Sequence, residues 1–146
     1  MSLSVSGKTW SLNSKPGLLS KLVLFTALAI FYIYGVFWCI AKRSSVKDVS
    51  NVLKVFYYDF LRLRREHVIV EKVSEKELVT VCVNPCPILK LSLLLRVDTR
   101  YSCRLVSEPV CRFVLRCLNP NLVFVRDYSC IRPYSTGCRE RIYFKM

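Results

Sequence analysis

Residues 126–144 read RDYSCIRPYSTGCRERIYF. An acid, Asp127, stands three residues before Cys130, and Cys138 follows a loop that carries Pro133, Ser135 and Gly137. The flanking runs are strand-like, so the two thiols fall at the bases of opposite strands of a hairpin, with their sulfurs close together. Three chemistries suit such a pair. Zinc takes thiolates and carboxylates at tetrahedral angles, and two strand-end thiols beside Asp127 would need only a donor from a neighbouring element. A disulfide is the second use, and unligated packing thiols are the third. Arg132, Arg139 and Arg141 favour thiolate over thiol, which helps the first two.

The chain holds eight cysteines, and Cys39 lies inside an apolar segment, which leaves seven that cannot all pair. Cys82 on a strand and Cys117 on a helix read as core packing. Cys86, between the prolines of NPCP, is the one thiol whose setting suits a nucleophile, with His67 or Asp98 as the candidate base. His67 is the sole histidine and begins a strand, where a lone imidazole is more often structural than a general base.

These residues must be positioned by elements that the sequence also announces. Ser45 and Asp48, three apart, form a capping box before VKDVSNVLKVFYYDFLRLRRE, in which Val49, Val52, Leu53, Phe56, Phe60 and Leu63 recur at helical spacing. HVIVEKV and ELVTVCV are β-rich runs joined by the polar SEKE, which makes a hairpin. PILKLSLLL is helical by preference but short enough to be a strand. Ser107 and Pro109 then supply an N-cap and a first-turn proline for PVCRFVLRCLN, which ends near Asn119-Pro120. NLVFVRDY and CRERIYF close the chain as strands. The fold class is therefore α+β, with helices packed on antiparallel hairpins.

At 146 residues the chain has room for one domain and an appendage. Lys21 and Lys42 bracket twenty uncharged residues, enough to rise about 30 Å as a helix, the thickness of a bilayer's hydrocarbon core. Tyr32, Tyr34 and Trp38 cluster toward the Lys42–Arg43 end, as interfacial aromatics do. The segment is thus either a membrane span or a wholly buried core helix. This divides the chain into an N-terminal tail (1–17), an apolar helix (18–43) and an α+β domain (44–146).

With 23 Lys+Arg against 10 Asp+Glu, and 53% hydrophobic residues, the chain should fold and attract anions. The arginines are scattered rather than blocked, and no zinc-finger spacing, phosphate-loop motif or single-strand-binding aromatic pattern points to nucleic acid. Lys8, Lys15 and Lys21 balance Lys42, Arg43 and Lys47 across the apolar segment, so the arginine excess and the unpaired thiols of the domain are what assign it to the cytoplasm.

The stretch EPVCRFVLRCLNPNLVFVRDYSCIRPYSTGC resembles the end of the 4-vinyl reductase-type small-molecule-binding domain, with its Pro-Val-Cys helix start, an acid three residues before a cysteine, and a second cysteine eight residues on near a glycine. VNPCP through DTRYSC to the last hairpin is also similar to proteins like L-2-amino-thiazoline-4-carboxylic acid hydrolase. Together the resemblances cover roughly residues 46–144. They imply a structural zinc held by Asp127, Cys130 and Cys138, with Cys111, at the Pro-Val-Cys position, as fourth ligand; Cys103 is the alternative and Cys86 an outside candidate. The chain departs from the family in a shortened intervening segment and in Asp for the usual Glu. The implied function is binding of a small, partly apolar molecule between sheet and helices, with signalling through a protein partner or a homodimer. The alternatives are a hydrolase that opens a sulfur-containing ring and a non-enzymatic interaction protein with a basic surface.

Overall fold

The computed structural model describes residues 2–5, 8–42 and 45–146. Its chain order is β1 (Ser2–Val5), β2 (Lys8–Ser11), α1 (Leu18–Lys42), α2 (Val49–Val52), β3 (Val68–Val73), β4 (Glu77–Cys82), α3 (Pro87–Leu95), α4 (Thr99–Ser102), α5 (Glu108–Leu118), β5 (Leu122–Arg126) and β6 (Cys138–Phe144). The fold is α+β, as the patterning required. β3, β4, β6 and β5 form an antiparallel sheet in that order, and the helices cover one of its faces. The tail is not featureless: β1 and β2 pair as a hairpin, and Asn13 then bridges to Val97.

Two helices contain wide, π-helical turns. α2 runs on as π-helix through Leu53–Phe60, and α4 runs on through Cys103–Ser107 into α5. Ser107 therefore sits inside a continuous helical segment and caps nothing; its hydroxyl returns to the Cys103 carbonyl at 3.4 Å. Pro109 is tolerated because the wide turn before it already departs from regular i→i−4 bonding, with the Glu108 amide donating to the Cys103 carbonyl. At the first of these helices the cap is Asp48, whose side chain accepts from the Ser50 amide at 3.0 Å, and not Ser45. That helix also stops at Phe60, six residues short of the patterned run, where Arg62 takes a left-handed backbone (φ 53°).

α3 forms over PILKLSLLL, with Pro87 in its first turn and a left-handed cap at Arg96; the Val97 amide closes the end by donating to the Ser92 carbonyl. β3 and β4 make the hairpin expected around SEKE, closed by the Ser74 amide on the Glu77 carbonyl at 2.8 Å.

The main core lies between α1, α2 with its π extension, α5 and the sheet. Phe56, Tyr57, Phe60, Leu115, Phe124 and Ile142 are buried there. α1 belongs to it along one face only. Gly35 sits so close to α5 that an added Cβ would lie 3.1 Å from Val114 Cγ2, and Leu24 and Trp38 are buried on the same side. Its opposite face exposes Leu22, Phe25, Ile33, Phe37 and Ile40. The helix is long enough to cross a membrane, with a mean hydropathy of 2.2 over its most apolar stretch. It is a domain helix with an open apolar side rather than a wholly buried core helix. Lys42, at its end, pairs with Asp59 at 2.7 Å, and Arg43, the second basic flank, is outside the described residues.

Candidate functional site

The inward face of the sheet is organised in rows by strand register. Leu78, Ile142 and Phe124 form an apolar row, and Thr80, Glu140 and Arg126 form a polar one. Cys82 and Cys138, partners across β4 and β6, make the third. Alternation sends every second side chain to this face, so the row order follows from the three strand sequences once they are paired.

The polar row is a connected network. Thr80 Oγ1 donates to Tyr57 Oη at 2.8 Å, and Tyr57 Oη donates to Glu140 Oε2 at 2.9 Å. Arg126 Nη2 donates to Glu140 Oε1, and its Nη1 donates to Ser107 Oγ, both at 2.5 Å. Burial and the neighbouring Glu140 carboxylate push the Tyr57 phenol well above its ordinary range. Arg126 stays charged: burial works against the cation, but Glu140 together with the neighbouring Cys103 and Cys111 sulfurs outweighs it. Arg126 Nε, although buried, has no protein partner.

Beyond the polar and thiol rows the helices stand off from the sheet and leave a cavity of about 670 Å³. One wall is apolar: Ala27, Ile30, Phe31 and Tyr34 of α1, Phe60 and Leu63 after the first π-helix, and Ile88 and Leu91 of α3. Phe31 stacks on Phe60 at 5.8 Å between ring centroids, and Tyr34 on Phe60 at 5.2 Å, so this wall is a continuous aromatic surface. The opposite wall is Cys82, Cys138, Arg126 and Glu140 from the sheet, with Cys103, Ser107 and Cys111 from the helical segment above it. Cys86, at the head of α3, completes five thiols around one space. Burial raises the Cys103 thiol to about 11 and pushes Cys82 and Cys111 higher still, so these three are protonated at neutral pH.

The expected zinc ligands do not converge in this arrangement. Asp127, one residue beyond inward-facing Arg126, turns outward and accepts from Ser129 N at 3.0 Å and Ser129 Oγ at 2.5 Å; these bonds hold its carboxyl below the usual range. Cys130 lies against Ser135 Oγ at 3.4 Å and the Gly137 carbonyl at 3.7 Å. Cys138 instead takes hydrogen bonds from Arg132 N and Nε at 3.4 and 3.3 Å. Cys111 is buried in α5, and Cys103 lies on the turn before it. Among the described residues no group of three or more His, Cys, Asp or Glu side chains is placed to hold a metal ion, and all eight cysteines are free thiols. Alternation along β5, which faces Arg126 inward, turns the following Asp127 away from the cavity thiols.

The arginines expected to favour thiolates also divide by face. Arg139 pairs with Glu71 at 2.9 Å and Arg141 with Glu77, both on the outer side of the sheet. Arg132 alone reaches a thiol. His67, in the turn before β3, faces Glu66 at 3.9 Å, and Asp98 caps α4 and binds Arg100 at 2.9 Å. Neither makes a hydrogen bond to Cys86. Arg126, Glu140 and the aromatic wall were not picked out from sequence. Their signal was parity: Arg126 shares the inward phase of Leu122 and Phe124, and Glu140 that of Ile142.

In comparisons with known proteins, no family model, no curated protein and no solved structure matches this chain.

Proposed function

We propose that the chain is a small-molecule-binding domain that takes a partly apolar ligand in the cavity between α1, α3 and the sheet. The observation that supports this is the cavity itself. At about 670 Å³, with an aromatic wall facing a few fixed polar groups, it has the size and composition of ligand sites. Closing it by collapse would press an apolar helix onto the Arg126–Glu140 pair, which is unfavourable for a charge pair already bonded. The test is a neutral environment-sensitive dye, phenylnaphthylamine. It should fluoresce on binding the intact protein, and Ala27→Phe or Leu91→Trp, which fill the cavity, should abolish the signal while leaving the far-ultraviolet circular dichroism unchanged. Undiminished dye binding by both filled variants would refute this reading.

The open side of α1 adds a location. A stripe of Leu22, Phe25, Ile33, Phe37 and Ile40 in a chain of net charge +13 suits the cytoplasmic face of an anionic membrane, with the helix lying along the surface. Crossing the bilayer would draw α5, which packs on α1 at Gly35, into the hydrocarbon together with Arg112 and Arg116. In-plane seating leaves those charges in water.

A further inference from the structure

The charged groups of the cavity do not balance. Glu140 is its one carboxylate among the described residues, and Arg126 already neutralises it. Arg132 also lines the cavity, but its guanidinium bonds no carboxylate among the described residues: its partners are the Asn84 carbonyl, Asn84 Oδ1 at 3.4 Å and the Cys138 sulfur at 3.3 Å. Arg62 stands nearby at the rim, exposed and, among the described residues, without an ion pair. The excess is therefore positive, and apart from Arg62 it lies on the sheet side, opposite the aromatic wall. Within it, Arg126 keeps one N–H donor, Nε, that the protein leaves unbonded although the side chain is only 8% exposed. A cation that faces a low-dielectric cavity with no carboxylate partner is costly, so Arg132 gains from an acceptor that carries negative charge, and Arg126 on the same side adds to the attraction.

Building on the reading of this cavity as a ligand site, we infer that its ligand is an apolar carboxylate: the hydrocarbon body lies along Phe31, Tyr34 and Phe60, and the acid group sits against Arg132, on the side of the cavity that Arg126 also lines. The thiols around that end favour the same polarity. Held protonated by burial, Cys82, Cys103 and Cys111 present weak S–H donors rather than competing anions. A ligand cation would find no unpaired carboxylate there.

The experiment is displacement of bound phenylnaphthylamine from the full chain by three molecules matched in size: naphthylacetate, naphthylethanol and naphthylethylamine. The acid should bind on the order of tenfold more tightly than the alcohol, and the amine most weakly. Arg132→Gln should cut the advantage of the acid over the alcohol to less than about threefold. Arg116→Gln, which removes a surface charge outside the cavity, should leave the preference intact. Equal binding of acid and alcohol, in protein that still takes up the dye, would overturn the inference while the cavity remains a ligand site. An acid preference lost equally in Arg116→Gln and Arg132→Gln would also overturn it, since net charge alone would then be the cause. Failure of the dye and of all three competitors would remove both readings together.

Discussion

Arg126 and Glu140 are register partners on β5 and β6, joined Nη2 to Oε1 at 2.5 Å with side chains only 8% and 6% exposed. A charge pair this deep is held by its further bonds as much as by mutual attraction: Tyr57 donates to the acid and Ser107 accepts from the base. Removing one member strands the other. Arg126→Met should therefore destabilise the fold by about 3–5 kcal/mol in urea unfolding, whereas Arg126→Met with Glu140→Met should recover most of that loss. Equal losses in the single and double variants would mean that the two charges are not coupled.

Gly137 marks the approach of the last loop to β4. A Cβ there would meet Val81 Cγ1 at 2.3 Å and the Cys82 carbonyl at 3.3 Å, so Gly137→Ala requires β6 or Val81 to move. The expected cost is about 1–3 kcal/mol, read as a lowered urea midpoint. Gly137→Ala combined with Val81→Ala should be milder, because the nearest atom is then gone.

Raised thiol pKa values make an alkaline limit. In the unfolded chain Cys103 ionises near its ordinary 9.0, and in the fold only at about 11. Between those values the unfolded state sheds a proton that the native state keeps, so stability falls as pH rises through that window; below it the group contributes no pH dependence. Cys82 and Cys111 add in the same direction. Thermal midpoints should be level through neutral pH and decline from about pH 9, and Cys103→Ala should flatten the decline. A chain whose midpoint is unchanged up to pH 11 would contradict the burial of these thiols.

Metal content is a direct test of the closing loop. With Asp127 turned to Ser129 and Cys138 bonded by Arg132, purified protein should carry well under one zinc per chain, and Cys130→Ser should shift the thermal midpoint little. One firmly held zinc per chain, lost in Cys130→Ser or Cys138→Ser, would show that these side chains rearrange to bind it.

Membrane seating separates the two faces of α1. Phe25→Asp, Ile33→Asp and Phe37→Asp lie on the open side and should keep the fold while reducing co-sedimentation with anionic vesicles on the order of tenfold. Gly35→Leu, on the packed side, should instead unfold the domain or lower its stability by more than about 2 kcal/mol. If the Asp variants lose structure to the same degree, the open face is internal to the fold in solution.

Most of the secondary structure was legible in sequence because it rests on local chemistry. The β3–β4 hairpin follows from two β-rich runs and SEKE, and α3 from a proline after Cys86 and an apolar run. The segment around Ser107 and Pro109 misled because those residue types also start helices, and nothing local distinguishes a cap from a wide turn inside a longer helix. The site was less legible. Asp127, Cys130 and Cys138 are close in sequence, yet alternation and the loop bonds send them to different partners. The cavity thiols come from β4, α3, the helical segment and β6, and only tertiary packing could bring them around one space.

The wide turn at Cys103–Ser107 sets the phase of everything after it. Buried pairs recur as Ser102 and Cys103, Val106 and Ser107, Val110 and Cys111, then Val114 and Leu115, a spacing of four residues. An ordinary α-helix turns in 3.6 residues, so over these three steps such a pattern would drift by about 120° around the axis. The wide turn takes up about one surplus residue and cancels most of that drift. Ordinary winding over the same residues would rotate α5 by about 100°, carrying Cys111 and Leu115 out of the interior and Arg112 and Arg116 toward it, whereas deleting Leu105 while restoring ordinary winding would keep its phase. The wide turn thus absorbs one extra peptide unit while the thiol wall stays indexed to the sheet.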